Sequence, residues 1–213
     1  MRLLRAADRA VVPWKNGGGV TREIAGGPPG SDAAGFDWRV SLADVAADGP
    51  FSEFPGVDRI LTMVEGGGMA LTLEGGGAPG GGGAPSGEGP LLVDAPCVPQ
   101  RFPGDVATHC ALLAGPVVNL NVMYRRGGGT SAEVVVAEGD VDLGPVAHGT
   151  LIAVVLGPSA VLRSPRPTSH GPRDLVLSRY DAAVCEGPGP GAGTGGTLRT
   201  AGRTALITVR KAG

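Results

Sequence analysis

The amino-acid sequence predicts an all-β protein. Short segments in which apolar and polar residues alternate with a period of two recur along the 213 residues, whereas the period of an amphipathic helix is nearly absent. Most of these segments end at Gly, Pro, Asp or Asn, which favour turns. Many short strands at such spacing are typical of a β-sandwich or a β-barrel.

Eleven segments carry the strand pattern. The clearest begins at Phe36, where the alternation predicts that Phe36, Trp38, Val40 and Leu42 share an apolar face and that the intervening residues share a polar one. The predicted strands cover residues 20–25, 36–44, 58–65, 69–74, 91–94, 108–114, 117–124, 133–137, 151–156, 174–178 and 204–210.

Three segments between these strands give the predicted organisation. Residues 65–68, Glu-Gly-Gly-Gly, separate two apolar runs and predict a hairpin turn. Residues 75–90 carry Glu88 as their one charged residue and predict a mobile surface loop. The composition changes again over residues 125–131. We therefore predict an N-terminal barrel over residues 1–128 and a C-terminal barrel over residues 129–213, joined in one compact unit.

Charge and cysteine content restrict the partners and the compartment. A formal net charge of −2, without a cluster of Lys and Arg, argues against nucleic acid and anionic membranes as partners. The first twelve residues carry four charged side chains and lack the apolar core of a signal peptide. Three widely separated cysteines fit a reducing compartment. We therefore expect a cytoplasmic protein.

Standard catalytic and metal-binding signatures are absent from the sequence. His109, His148 and His170 stand singly, so no two are spaced to place both imidazoles on one metal, and we predict no metal and no cofactor. No Gly-x-Ser-x-Gly elbow occurs. The glycines after Asn16 are followed by neither Lys-Ser/Thr nor a helix, which argues against a phosphate loop. Among the histidines, His109 is kept as a pocket candidate.

Polar side chains occupy strand positions where exposure to water is a poor explanation. Asn119 and Asn121 share one face of a predicted strand, although Asn is depleted in strands. Arg39 and Ser41 share a face in the same way, and Arg59 lies near the start of another strand. An arginine can hold a carboxylate through two parallel hydrogen bonds. These faces either line a polar ligand site or meet solvent, and the pattern alone leaves both alternatives open.

Residues near the N-terminus suggest a cover for such a site. Trp14 stands in a glycine-rich loop beside Lys15 and Asn16, where it either closes a pocket mouth or only packs the loop. Thr21 and Glu23 share one face of the following strand. Glu23 either accepts hydrogen bonds from a bound amine or forms a structural ion pair with Arg39.

Four segments together resemble the HutD/Ves family. They are PWKNGGGVTREI (13–24), WRVSLA (38–43), DGPFSEFPGVDR (48–59) and NLNVMYRR (119–126), and the resemblance covers roughly the first 126 residues. It implies a bicupin of two fused small β-barrels and a role in histidine utilisation as a regulator rather than as a pathway enzyme. The family usually carries an acidic residue followed by Phe where this chain has Asn119 and Leu120.

The resulting hypothesis is a metal-free small-molecule-binding protein that holds a carboxylate metabolite of histidine degradation, such as urocanate or formyl- or formimino-glutamate. Arg39 and Arg59 would match the charge, and Phe51 and Phe54 would help Trp14 to close the mouth. The candidate ligand-binding residues are Trp14, Lys15, Asn16, Thr21, Glu23, Arg39, Ser41, Phe51, Phe54, Arg59, Asn119 and Asn121. The alternative is a metal-independent isomerase or hydrolase with Glu23 or His109 as general base. A homodimer is compatible with either.

Overall fold

The computed structural model describes residues 1–31, 35–74, 89–144, 149–163, 174–187 and 196–211. Within these residues the chain forms nineteen β-strands and one short 3-10 helix, Ala6–Asp8. The first eleven strands are β1 (Arg2–Leu4), β2 (Val12–Pro13), β3 (Gly19–Gly27), β4 (Trp38–Val45), β5 (Gly49–Phe51), β6 (Val57–Glu65), β7 (Met69–Leu73), β8 (Leu91–Val93), β9 (Gln100–Pro103), β10 (Thr108–Leu112) and β11 (Val117–Arg125). The other eight are β12 (Thr130–Glu138), β13 (Val141–Leu143), β14 (Gly149–Val155), β15 (Ser159–Arg163), β16 (Asp174–Ser178), β17 (Ala182–Glu186), β18 (Gly196–Arg199) and β19 (Arg203–Lys211).

Residues Ala10–Thr130 form a first unit with two antiparallel sheets. One sheet has six strands in the order β2-β3-β4-β11-β6-β9, and the other has four strands in the order β5-β10-β7-β8. Both sheets are open, so the unit is a jelly-roll-like sandwich and not the closed barrel that the sequence predicted. The strand order also brings β4, β6 and β11 together, although they are far apart in the sequence.

The core of the first unit contains side chains from both of its sheets. Leu61 and Met63 from the six-stranded sheet belong to the same buried cluster as Met69 and Leu71 from the four-stranded sheet. These side chains are almost completely buried, and each contributes about 1.5–3 kcal/mol to the free energy of folding. The face of β6 that carries Leu61 is therefore the inward face of the six-stranded sheet.

Residues Met1–Arg9 and Ser131–Gly213 form the second unit. Its sheets have the orders β1-β17-β14-β19-β12 and β13-β18-β15-β16. The core cluster takes Leu143 and Leu162 from the smaller sheet and Val155 and Ala183 from the larger one. The first nine residues thus lie with the C-terminal part of the chain, a different division from the one we drew between residues 128 and 129.

A buried carboxylate binds the N-terminal segment of the second unit to the C-terminal part of that unit. Asp181 is 3% exposed and accepts hydrogen bonds from the backbone N–H of Ala6 at 2.7 Å and from that of Ser178 at 3.0 Å. The guanidinium of Arg5 adds an ion pair at 2.7 Å. Strand β1 extends the attachment, because Arg2–Leu4 pairs antiparallel with β17.

All eleven predicted strands are present, which confirms the all-β prediction. Eight further strands were not predicted, and six of these contain four residues or fewer. Such segments are too short to show an alternation of two, and pairing with longer neighbours holds them in place. The predicted loop over residues 75–90 falls, except for its last two residues, outside the described part of the chain.

Two local predictions were wrong. Residues 66–68 do not close a hairpin, because β6 belongs to the six-stranded sheet and β7 to the four-stranded sheet, so the chain changes sheets there. The glycine is still required, since Gly66 has a φ of +105° and a Cβ would lie 2.6 Å from the Pro116 carbonyl oxygen. In addition, Phe36 precedes β4 and packs with Val57 and Met123, so it does not continue the face of Trp38.

Candidate functional site

Five polar side chains lie on the inward face of the six-stranded sheet in the first unit. Residues two apart on a strand share a face, so Arg59 projects to the same side as the core residue Leu61. The strand register places residues of β4 and β11 on that side as well. We call the following set the polar cluster: Arg39, Ser41, Arg59, Asn119 and Asn121.

The strand register sets the spacing within the polar cluster. Ser41 lies directly opposite Asn121. Arg39 and Arg59 both lie opposite Met123, one on each side of it. At about 4.8 Å between neighbouring strands, the Cα atoms of the two arginines are about 10 Å apart. Two cationic side chains therefore start from the same row of the sheet.

Arg59 is enclosed by aromatic rings. Its side chain is 7% exposed, and its guanidinium carbon lies 5.1 Å from the ring centroid of Phe51, 5.9 Å from that of Phe54 and 4.9 Å from that of Phe102. Its Nε donates a hydrogen bond of 3.4 Å to Oδ1 of Asn121. Ring faces attract a cation but leave its N–H donors without acceptors.

Arg59 has no counter-ion among the described residues, and the bond to Asn121 is its one hydrogen bond there. Burial, followed by repulsion from the positive charge of Arg39, lowers the pKa of the Arg59 guanidinium to about 10. The group therefore remains charged at neutral pH. A buried cation without a matching anion is energetically unfavourable, which makes this position the leading candidate for a functional site in the first unit.

Arg39, by contrast, lies beside a carboxylate. Its Nε is 3.4 Å from Oε2 of Glu23, but the atoms lack hydrogen-bond geometry, and Nε has no other partner among the described residues. The Glu23 side chain is 56% exposed, so this ion pair is weak. A small cleft opens next to the pair, lined by Glu23, Gly26, Pro28, Gly30, Ser31, Phe36 and Arg39.

Two further members of the polar cluster have unused hydrogen-bonding atoms. Ser41 and Asn119 are each 1% exposed, and neither the Ser41 hydroxyl nor the Asn119 Nδ2 has a partner among the described residues. A buried polar group without a partner costs about 1–3 kcal/mol of stability. The Ser41 hydroxyl and the Asn119 amide therefore have unused hydrogen-bonding capacity in the interior of the first unit.

The other predicted site residues include Trp14 and Thr21, which pack near the rings around Arg59, and Lys15 and Asn16, which lie in the exposed loop before β3. Trp14 packs edge-on against Phe51, with ring centroids 5.8 Å apart, and donates from its indole nitrogen to the Thr21 hydroxyl at 2.8 Å. Asn16 closes its own loop, because its Oδ1 accepts from Gly18 N–H at 3.0 Å. Lys15 is exposed. Trp14, held by its hydrogen bond to Thr21, thus packs against Phe51, which is one of the three rings around Arg59.

Sequence reasoning missed two parts of this site. Phe102 supplies the nearest ring to Arg59, and β9 brings it there by pairing with β6 opposite Arg59. Gly104 leaves space beside the same side chain, because a Cβ there would lie 3.2 Å from Arg59 Cγ and Cδ. Phe102 lies between two predicted strands, where a single aromatic side chain was a signal, but its pairing with Arg59 could not be read from local sequence.

His109 does not belong to the site. It lies on β10 between Thr108 and Cys110, which are both buried, and its own side chain is exposed. Because neighbouring residues on a strand point to opposite faces, His109 points away from the interior of the first unit. The prediction that it lines a pocket was wrong, and it is not placed to act as a base on a ligand at Arg59.

The described residues contain no cluster of three or more His, Cys, Asp or Glu side chains arranged to hold a metal ion. The core of the second unit is apolar, as its buried cluster consists of aliphatic residues and Cys185. Within the described residues, no helix has the length and apolar character needed to cross a membrane.

The chain is similar in sequence to known bacterial proteins. A protein from Pseudomonas putida, described as an uncharacterised 21.2 kDa protein in the hutC 3' region, is 40% identical over 124 residues, which cover 58% of this chain and 58% of the relative. Protein Ves of Citrobacter koseri is 38% identical over 114 residues, covering 53% of this chain and 52% of the relative. The chain thus spans a little over half the length of the curated relatives that it matches.

Structural similarity extends over the whole chain. The solved structure of HutD from Pseudomonas fluorescens SBW25, in a formate condition, superimposes with a TM-score of 0.75 at 29% identity and covers 100% of this chain and 99% of that chain. A more distant structure, a Bacillus subtilis oxalate decarboxylase variant, is 8% identical with a TM-score of 0.58 over 99% of this chain and 77% of its own, and it supports the cupin-like fold alone. A sequence model of the HutD family matches residues 6–206, and the chain belongs to the HutD family.

Proposed function

We propose that this protein binds a small carboxylate metabolite of histidine degradation, urocanate or a formyl- or formimino-glutamate, and thereby modulates histidine utilisation. The observation that carries the proposal is the buried, aromatic-walled guanidinium of Arg59, which has no counter-ion among the described residues. The first unit would hold the ligand in the cytoplasm, a compartment that the free thiols of Cys97, Cys110 and Cys185 support.

A carboxylate suits this position for electrostatic and geometric reasons. It neutralises the charge whose burial lowers the pKa of Arg59, and the free N–H donors of the guanidinium fit its two oxygen atoms. The Phe51 and Phe102 rings exclude water, which strengthens the interaction. Ser41 and Asn119 offer a hydroxyl and an amide to a second polar group of the same ligand.

The link to histidine degradation rests on relatives. Membership of the HutD family and the similarity to a Pseudomonas putida protein in the hutC 3' region both point to the histidine utilisation genes. Urocanate is a monocarboxylate with a flat conjugated body that could lie between the aromatic side chains around Arg59. It is therefore the first ligand to test.

In calorimetric titrations, we expect urocanate to bind the wild-type protein and to bind Arg59→Ala at least about a hundredfold more weakly. Loss of one partner of a buried charge-assisted pair costs about 2–5 kcal/mol. Arg39→Ala should weaken binding by a smaller factor. Arg22→Ala is the matched control, because Arg22 lies on the same sheet but pairs with Asp44 on a partly exposed surface. Unchanged affinity in both Arg39→Ala and Arg59→Ala would remove the proposal.

Mass spectrometry of the same mixtures distinguishes binding from turnover. We expect urocanate to be recovered unchanged, because His109 points away from the polar cluster and Glu23 already interacts with Arg39. Formation of a product that depends on Glu23 would support the enzyme alternative instead.

A further inference from the structure

We propose that Glu23 determines the charge of the ligand, so that the site accepts a single negative charge and rejects a second carboxylate at the Arg39 end. This inference rests on the proposed function and deepens it. Of the ligands named above it favours urocanate, because formyl- and formimino-glutamate each carry a second carboxylate. In general it selects small carboxylates whose far end is neutral or donates hydrogen bonds.

The charges of the site give the first step. Arg39 and Arg59 are positive, and Glu23 is the carboxylate that lies within ion-pair distance of Arg39, at 3.4 Å. Arg59 has no such neighbour among the described residues. Two positive charges and one negative charge leave a net charge of +1, centred on Arg59. One carboxylate on Arg59 therefore completes the charge balance.

The strand register gives the second step. Glu23 on β3 lies opposite Ser41 on β4, Ser41 lies opposite Asn121 on β11, and Asn121 accepts the hydrogen bond from Arg59. These residues form a strip across the inward face, with Arg59 at one end and Glu23 at the other. The strip spans three strand spacings, and Arg59 is offset along its strand by two residues from the position opposite Asn121, so the outer Cα atoms are about 16 Å apart.

A ligand anchored at Arg59 and extended along this strip brings its far end towards Glu23 and Arg39. The small cleft beside that pair is lined by both side chains, so this end of the strip is reached from solvent. An imidazole, amide or amidine group there can donate a hydrogen bond to the Glu23 carboxylate. A second carboxylate would meet the negative charge of Glu23 and would have to displace it from Arg39.

An isosteric pair of probes tests this inference. N-formylglutamine and N-formylglutamate have nearly the same size, and the first carries one carboxylate where the second carries two. In calorimetric titrations at pH 7, we expect the wild-type protein to bind N-formylglutamine about tenfold more tightly than N-formylglutamate. In Glu23→Gln, which leaves Arg39 without its anion, this preference should disappear or reverse.

Asp44→Asn is the control for total charge. It removes one negative charge from the same sheet, but Asp44 pairs with Arg22 and lies away from the polar cluster. The preference of the wild-type protein for N-formylglutamine should therefore persist in Asp44→Asn. An equal shift in both variants would show a general charge effect and would contradict a specific role of Glu23.

Failures of the two proposals are distinguishable. If Arg59→Ala weakens both probes while Glu23→Gln leaves their ratio unchanged, the role of Glu23 is wrong and the carboxylate site stands. If a merely structural role of Glu23 applied, Glu23→Gln would weaken both probes by the same factor. If neither the probes nor urocanate bind the wild-type protein, the proposed function is wrong and this inference falls with it.

Discussion

Replacing Arg59 by methionine should increase the free energy of unfolding of the ligand-free protein by about 1–2 kcal/mol. Burial lowers the pKa of the Arg59 guanidinium to about 10, which corresponds to a cost of about 3 kcal/mol for holding the charge in this environment. Cation–π attraction between the guanidinium and the Phe51, Phe54 and Phe102 rings offsets part of this unfavourable free energy. Methionine fills a similar volume without a charge.

The pH dependence of this difference has a defined sign. The pKa of Arg59 is lower in the folded than in the unfolded protein, so the unfolded protein binds more protons above about pH 10. The destabilising effect of Arg59 is therefore complete below that pH and decreases above it. Urea unfolding of wild-type protein and Arg59→Met at pH 7 and pH 10.5 should show the difference becoming smaller. Destabilisation by Arg59→Met at pH 7 would contradict this account.

A ligand should reverse the order of stability. Urocanate at about one hundred times its dissociation constant would stabilise the wild-type protein by about 2.7 kcal/mol. It should stabilise Arg59→Met by about 0.4 kcal/mol at most, because that variant lacks the cation and binds at least about a hundredfold more weakly. Thermal unfolding with and without urocanate measures this effect, and Arg22→Met serves as a control for loss of an arginine that is not in the polar cluster.

Replacing Asp181 by alanine should lower the free energy of unfolding of the second unit by about 2–4 kcal/mol. The substitution removes the acceptor from the backbone N–H groups of Ala6 and Ser178 and from the Arg5 guanidinium. Hydrogen exchange of the β1 amides should increase together with this loss. Asp174→Ala is the control, because Asp174 forms an exposed ion pair with Arg163 whose loss should leave the free energy of unfolding nearly unchanged.

The contribution of Asp181 should also depend on pH. Burial alone would raise the pKa of Asp181, but the bonds from Ala6 N–H, Arg5 and Ser178 N–H outweigh burial and hold that pKa below its usual range. A carboxyl with a lowered folded pKa contributes its stability above the unfolded pKa of about 4 and loses it as the pH falls through the folded value. The difference between wild-type protein and Asp181→Ala should therefore decrease below about pH 4, and a constant difference down to pH 2 would contradict this.

The sequence indicated the fold class and which residues share a face, but not which face is inward. On β4 the alternation correctly placed Arg39 with Ser41 and Val40 with Leu42, yet Ser41, Val40 and Leu42 are all buried. An apolar face and a polar face normally correspond to core and solvent. In β4 both faces carry buried side chains. Hydrophobic patterning therefore could not distinguish a polar interior face from an exposed surface.

The partners of Arg59 depend on pairings between distant segments. Asn121 reaches it through the register of β11 on β6, and Phe102 through that of β9 on β6. Local alternation shows which residues of a strand share a face, but it does not show which distant strands pair. The candidate residues came from polar side chains at strand positions, and the family match confirms the resemblance to the HutD/Ves family.

The sealed interior around Arg59 has a kinetic consequence. Because Ser41 and Asn119 are almost inaccessible and three rings cover the guanidinium, a molecule must first separate these side chains before it can reach the charge. Separation of the Phe51, Phe54 and Phe102 rings, rather than diffusion, would then limit the rate of association. The same barrier would slow dissociation of the bound molecule. With a long residence time, the fraction of protein that holds the proposed ligand would follow the average concentration of that ligand over time. Brief changes in concentration would leave this fraction nearly constant.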